Sequence, residues 1–311
     1  MLETTLTFGP DQGLIGTLTL PGTQARATPA PCGMVLFNAG VVPRIGPHRI
    51  NVKIARELAR HGIPTIRFDL HGMGDSLGAD GRLNYKQQAV SDLQAAMDTL
   101  QRASDVSRFA LLGFCSGALP SYWTAQNDDR VRHIILYDAF ELQTRKSRLR
   151  YLAVRLRSHG FGPAAIALYL RRAGGALLAL PTRLRDRLSR ARTEQSAGSD
   201  DRPTKAQFVH GFAQLAHKGV HVSVLHSGAD FSNVNHVEQI AEAFGADGSP
   251  VAGFHTGFLA PIDHIMTSVN AQRAFTDWIC ADLLGQHVGT ADQPHRSHHS
   301  LSTSAPARSA D

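Results

Sequence analysis

Between Gly33 and Tyr137, short apolar runs alternate with stretches whose apolar residues recur at helical spacing, and few architectures accept that rhythm. Gly33-Met34-Val35-Leu36-Phe37 reads as a strand. Pro47 then opens a helix with Ile50, Ile54 and Leu58 on one face, and Gly62 closes it. Pro64 to Asp69 is the next strand. A helix over about 84–102 places Ala89, Leu93, Ala96, Met97 and Leu100 together, and Phe109–Phe114 and Val131–Tyr137 are two further strands. Parallel strands need long crossovers, which helices supply while covering both faces of the sheet. Ahead of this unit, residues 3–8 and 13–20 read as an antiparallel pair joined by Gly9-Pro10-Asp11-Gln12-Gly13. The expected class is therefore α/β, with a mostly parallel sheet.

The alternation stops near residue 140. From 145 to 192 the chain carries thirteen Lys or Arg against one acid, Asp186, with no strand pattern. We expect a basic helical lid inserted over 145–202, dividing the core into 1–144 and 203–285. The second part holds a helix over about 204–217, a strand at 220–225, a helix over about 233–244, a strand from Val251 to about Phe254, and a final helix over about 268–284. Residues 286–311, rich in Ser, His, Thr, Ala and Pro, read as a disordered tail. Its His295, His298 and His299 are taken as solvated rather than metal-binding.

At 311 residues and 42% hydrophobic content, the chain can bury one large core. It has no apolar run of eighteen residues, and Met1-Leu2-Glu3-Thr4-Thr5 does not open a signal peptide. Cys32, Cys115 and Cys280 are too scattered for a disulfide framework or a zinc site, which fits a reduced, cytoplasmic setting. No nucleic-acid-binding motif accompanies the basic charge.

One strand end carries chemistry. Phe109–Phe114 runs into Gly113-Phe114-Cys115-Ser116-Gly117, with helix-compatible residues directly after. A side chain at the apex of such a turn is held in a strained conformation, and its neighbours two residues away must lack bulk. In return it stands clear of the sheet at a helix amino end, where a thiolate is favoured over a thiol. A cysteine nucleophile needs a base and a group that orients the base. His264, in Pro261-Ile262-Asp263-His264 between the last strand and the last helix, is placed to be the base. Asp230, directly after the 220–225 strand, is the first choice of acid. Asp138, directly after Tyr137, is the competitor, and Asp263 ranks third because it adjoins His264. The expected oxyanion donors are the N–H of Ser116 and that of Gly40 or Val41. Asp69-Leu70-His71-Gly72-Met73-Gly74-Asp75-Ser76 reads mainly as a structural turn, and Arg44 and His48 as substrate-contacting or solvated.

Together these motifs resemble the α/β-hydrolase superfamily over about residues 1–285. Asn38-Ala39-Gly40 with Arg44-Ile45-Gly46-Pro47, and Arg67-Phe68-Asp69 with Gly72-x-Gly74-Asp75-Ser76, are similar to its serine-aminopeptidase-like branch. The elbow around Cys115 is similar to that of exosortase-associated hydrolases. The resemblance implies an eight-stranded sheet, a helical lid after the sixth strand, and a Cys115, Asp230, His264 triad working without a cofactor. Two features depart from the pattern: cysteine stands for serine, and the acid loop is shortened to Gly228-Ala229-Asp230. The expected activity is hydrolysis of an ester or thioester through an acyl-thioenzyme. Transfer of the acyl group to an amine, alcohol or thiol is the first alternative, and a non-catalytic binding protein the second. The expected partners are a small acyl substrate and, on the basic insertion, an acyl carrier protein or coenzyme A thioester; a solvated lid or a membrane surface are its other readings.

Overall fold

The computed structural model describes residues 1–23, 25, 30–139, 144–159, 203–228, 234–237, 239–244, 254–260 and 262–285. Eight strands form one sheet: β1 (Leu2–Phe8), β2 (Leu14–Leu20), β3 (Gly33–Phe37), β4 (Thr65–Phe68), β5 (Phe109–Phe114), β6 (Val131–Tyr137), β7 (His221–Ser227) and β8 (Phe254–Leu259). Their order is β1-β2-β4-β3-β5-β6-β7-β8, with β2 antiparallel to β1 and β4, and every other pairing parallel. The strand pattern implies the mostly parallel sheet, and the resemblance to α/β hydrolases implies its eight strands.

Helices cover both faces because the strands alternate apolar side chains to each. On β3, Val35 and Phe37 join one core with the helix α2 (Tyr85–Ala103), α3 (Ala118–Asn127) and α5 (Lys205–His217). Met34 and Leu36 join the other, with α1 (Ile50–Arg60) and α7 (Val269–Leu283). Two short elements complete the described chain: α4 (Arg145–His159) opens the basic insertion, and α6 (Gln239–Phe244) precedes β8. The remainder of the expected lid, 160–202, and the tail from 286 lie outside the described residues, as does Val251.

Three boundaries differ from the sequence reading. The helix expected from Pro47 begins as a 3-10 turn kinked by left-handed His48 and Arg49, and α1 proper starts at Ile50. The helix expected over 233–244 is described only over Gln239–Phe244; residues 234–237 before it are non-helical, and the Asn235 N–H donates to the Gln239 side chain at 3.0 Å. The last strand, expected from Val251 to about Phe254, runs on to Leu259; residues 251–253 lie outside the described residues. Its residues His255, Thr256 and Gly257 give no apolar run, yet they pair in register with β7. Gly257 is there for space: a Cβ would lie 2.7 Å from both Leu225 and Trp278.

Candidate active site

Cys115 stands at the carboxyl end of β5, where the strand turns through a single 3-10 turn, Cys115–Gly117, into α3. Its φ of 51° is left-handed, a conformation that non-glycine residues hold only when the surroundings impose it. The flanking glycines make room for it. A Cβ on Gly113 would lie 2.8 Å from the Ala118 Cα and the Gly117 carbonyl, and one on Gly117 would lie 3.0 Å from Phe37. The thiol is exposed, while Cys32 and Cys280 are buried.

His264 is carried on the loop between β8 and α7, pinned on both sides by buried Ile262 and Met266. Met266 has a left-handed φ of 54°, and its carbonyl accepts the Gln272 amide at 2.9 Å. The imidazole stacks on Tyr137, 6.1 Å between centroids and 13° between planes, and meets Phe114 edge-on at 5.4 Å. Nδ1–H donates to Asp138 Oδ2 at 2.8 Å. With Nδ1 bonded to Asp138, Nε2 is the ring nitrogen left for the reacting atoms.

Asp138 directly follows β6, and its φ of 45° is left-handed as well. Its carboxylate accepts the Ser227 N–H at 2.8 Å and the Ser227 hydroxyl at 2.6 Å, and His226 Nδ1 lies 3.5 Å away. Burial alone would raise the Asp138 pKa, but the hydrogen bonds from His226, His264 and Ser227 outweigh it and hold the carboxyl below the usual carboxylate range. For His264, the bonds to Asp138 and to Cys115 outweigh burial and raise the pKa to about 10. The hydrogen bond from His264 likewise lowers the Cys115 pKa against burial, assisted by the His264 charge and the Ser116 N–H. The site thus favours a thiolate beside an imidazolium.

Of the carboxylates weighed from sequence, the structure brings Asp138 to His264. Asp230 lies outside the described residues. Asp263 turns away and accepts the N–H groups of Ile265 at 3.1 Å and Thr267 at 3.0 Å. Among the described residues it is therefore the second-ranked acid, Asp138, that meets His264; β6 lies beside β5 in the sheet, so the residue after β6 emerges next to Cys115. Ser227 and His226, which hold Asp138, went unnoticed in the sequence. Ser227-Gly228 at the end of a strand reads only as a turn.

Of the expected oxyanion donors, the Gly40 N–H donates to the Ser116 hydroxyl oxygen at 2.7 Å. Asn38 shapes this loop by donating to the Gly40 carbonyl at 3.0 Å while accepting the Leu70 N–H at 2.9 Å. Val41 is 88% exposed at its tip.

Arg44 is neither solvated nor free to meet a substrate. Its guanidinium pairs with fully buried Asp69 and reaches Asp75 at 2.7 Å, and its N–H donates to Asp69 Oδ1 at 2.6 Å. The glycine-rich turn is structural, as expected: Ser76 Oγ donates to the Asp69 carbonyl at 2.6 Å, and the His71 imidazole bonds Asp92 at 2.6 Å. His48 sits exposed on the kink before α1.

The family model for serine aminopeptidase, S33, matches residues 30–221. Among solved structures, an α/β serine hydrolase without a lid from Xanthomonas campestris is similar over 92% of this chain and 94% of its own, at 14% identity and a TM-score of 0.52. A putative α/β hydrolase from Agrobacterium tumefaciens aligns over 92% and 98%, at 12% identity and a TM-score of 0.53. An α/β serine hydrolase homologue from Coxiella burnetii aligns over 91% and 97%, at 16% identity and a TM-score of 0.50. No curated protein matches in sequence.

Proposed function

Since the chain belongs to the serine aminopeptidase S33 family of α/β hydrolases, we propose that it is a hydrolase whose nucleophile is Cys115, with His264 as base and Asp138 as the orienting acid. The observation that carries this reading is the elbow itself: an exposed Cys115 held at a left-handed φ of 51°, with the His264 imidazole packed on the adjoining Phe114 and bonded through Nδ1 to Asp138 Oδ2 at 2.8 Å. Cys115 sulfur attacks the substrate carbonyl and a C–S bond forms. The proton held on His264 passes to the departing alkoxide or thiolate as its bond to the carbonyl carbon breaks. Water then gives a proton to His264 and its oxygen to the acyl carbon, releasing the acid and restoring the thiolate. Asp138 keeps the proton on Nδ1, so that Nε2 faces the reacting atoms.

Sulfur bears on the substrate. In a tetrahedral intermediate, a thiolate leaves more readily than an amine, so an amide tends to revert, while an ester or thioester goes forward. Esters and thioesters are therefore the proposed class, in keeping with the likeness of the elbow to exosortase-associated hydrolases. The basic run that begins on α4 suits an anionic substrate handle, such as the phosphates of coenzyme A or an acyl carrier protein.

Intact mass spectrometry with a panel of acyl thioesters and activated esters tests this reading. The parent protein should gain one acyl mass that Cys115→Ala lacks, and the adduct should decay in water. Decay that requires an added amine, alcohol or thiol would make the enzyme an acyltransferase. No adduct, or equal labelling of Cys115→Ala, leaves a binding protein and ends the proposal. Asp138→Asn should slow acylation by roughly two to four orders of magnitude while Asp230→Asn leaves it near the parental rate; the reverse outcome would return the acid to Asp230.

A further inference from the structure

At the opposite end of the sheet, roughly 16 Å along β6 from Asp138 at the usual rise per residue, four side chains converge that the proposed reaction does not use. His133 on β6 and His221 on β7 are register partners. His255 on β8 pairs with Ser223, two residues beyond His221, so all three imidazoles project to one face. Asp282, in the last turn of α7, is buried against them. His133 Nε2 lies 2.9 Å from Asp282 Oδ2, and His221 Nε2 lies 3.8 Å from Asp282 Oδ1. The group opens on a cavity of about 530 Å³ lined also by Phe254 and Leu283.

We propose that His133, His221 and Asp282 bind a divalent transition-metal ion of the zinc type, with His255 orienting the carboxylate. One ligand atom from each of the three lies within 4.8 Å of the others. Tetrahedral coordination at about 2.0–2.1 Å places ligand atoms about 3.4 Å apart; the His133 and His221 nitrogens lie 2.9 Å from Oδ2 and 3.8 Å from Oδ1 of Asp282. Two imidazoles and a carboxylate are a donor set that suits zinc and its neighbours rather than calcium or magnesium. His255 Nδ1 is 2.8 Å from Asp282 Oδ1 and its ring stacks on Trp278 at 5.3 Å and 5°, the kind of support that fixes a metal-binding carboxylate. The fourth position faces the cavity, where water has access. Asp282 is otherwise poorly placed. A buried carboxylate at the carboxyl end of a helix meets the negative end of the helix dipole. On binding, the imidazole protons facing Asp282 leave to solvent and the ion takes their place, so affinity rises with pH.

The test is zinc titration of the full chain against a chromophoric chelator, with cobalt as a spectroscopic substitute. One equivalent should bind and raise the melting temperature. Half-exposed His221→Ala and isosteric Asp282→Asn should each weaken binding by roughly ten- to a hundredfold, while both retain the parental circular dichroism. The cobalt form should show tetrahedral ligand-field bands without the sulfur-to-metal charge transfer that a Cys115 ligand would add. Absence of binding, undiminished binding in both variants, a charge-transfer band abolished by Cys115→Ala, or loss of the ion only on replacing His287, His295, His298 and His299 would each overturn the site.

Discussion

Cys115 combines a left-handed backbone, which costs on the order of 1–3 kcal/mol at a non-glycine residue, with a sulfur that depends on one neighbour for its charge. With its pKa lowered by His264, the thiolate persists at pH values where an ordinary thiol, near 8.5, is protonated. Iodoacetamide should therefore label Cys115 faster at pH 6 than it labels an ordinary thiol. In His264→Ala the inflection of the rate should climb back to the ordinary thiol range, leaving the two proteins alike only at high pH. Cys32 and Cys280, whose pKa values burial pushes up to about 12, serve as unreactive internal controls. A parent profile that matches the His264→Ala profile would remove the ion pair. Ser116 makes a separate contribution. Its hydroxyl oxygen takes the Gly40 N–H, which must be released before that donor can meet an oxyanion. Ser116→Ala keeps both backbone donors and removes the competing acceptor. At about 1 kcal/mol for one such hydrogen bond, acylation should rise about fivefold in single-turnover kinetics; a fall would mean that the hydroxyl itself assists the reaction.

The elements that deliver these residues were unequally visible in the sequence. β3, β5 and β6 announce themselves because strands buried on both faces are continuous apolar runs. β8 does not, since His255, Thr256 and Gly257 meet the needs of β7, Trp278 and Asp282 rather than those of an apolar core. The elbow and the histidine loop were legible from their place relative to strands. The bond from His264 to Asp138 was not, because Asp138 and Asp230 both follow strands and sequence order does not show which way the His264 ring turns. Arg44 misled for a related reason: an arginine near an active-site loop looks free until Asp69, twenty-five residues on, is seen beneath it. That pair joins the loop after β3 to the turn after β4. Removing one partner of a buried ion pair strands the other, at about 3–5 kcal/mol. Arg44→Ala should lower stability by an amount near the lower end of that range, because Asp75 is exposed and Asp69 keeps other bonds. Denaturant unfolding reads this directly, and an unchanged midpoint would mean that the pair contributes nothing.

Across the whole molecule, Cys115, Asp138 and His264 sit at the carboxyl ends of β5, β6 and β8, where a parallel sheet gathers its loops. Their alignment rests on the core beneath them. Fully buried Phe275 on α7 meets Tyr137 at 4.6 Å and Phe114 at 6.5 Å, and those same two rings hold the His264 imidazole. Removing Phe275 thus acts twice. Truncation to alanine should cost about 3–5 kcal/mol by the lost burial and the cavity left behind, seen as a lower denaturant midpoint. It should also loosen the two rings under His264, so that labelling of Cys115 at pH 6 slows under conditions where the variant is still folded. Phe275→Leu keeps most of the volume, and should cost less than about 1.5 kcal/mol with near-parental labelling. If the alanine variant unfolds early yet labels at the parental rate, the histidine loop is held by Ile262, Met266 and Gln272 alone, and the aromatic floor contributes to stability without positioning the base.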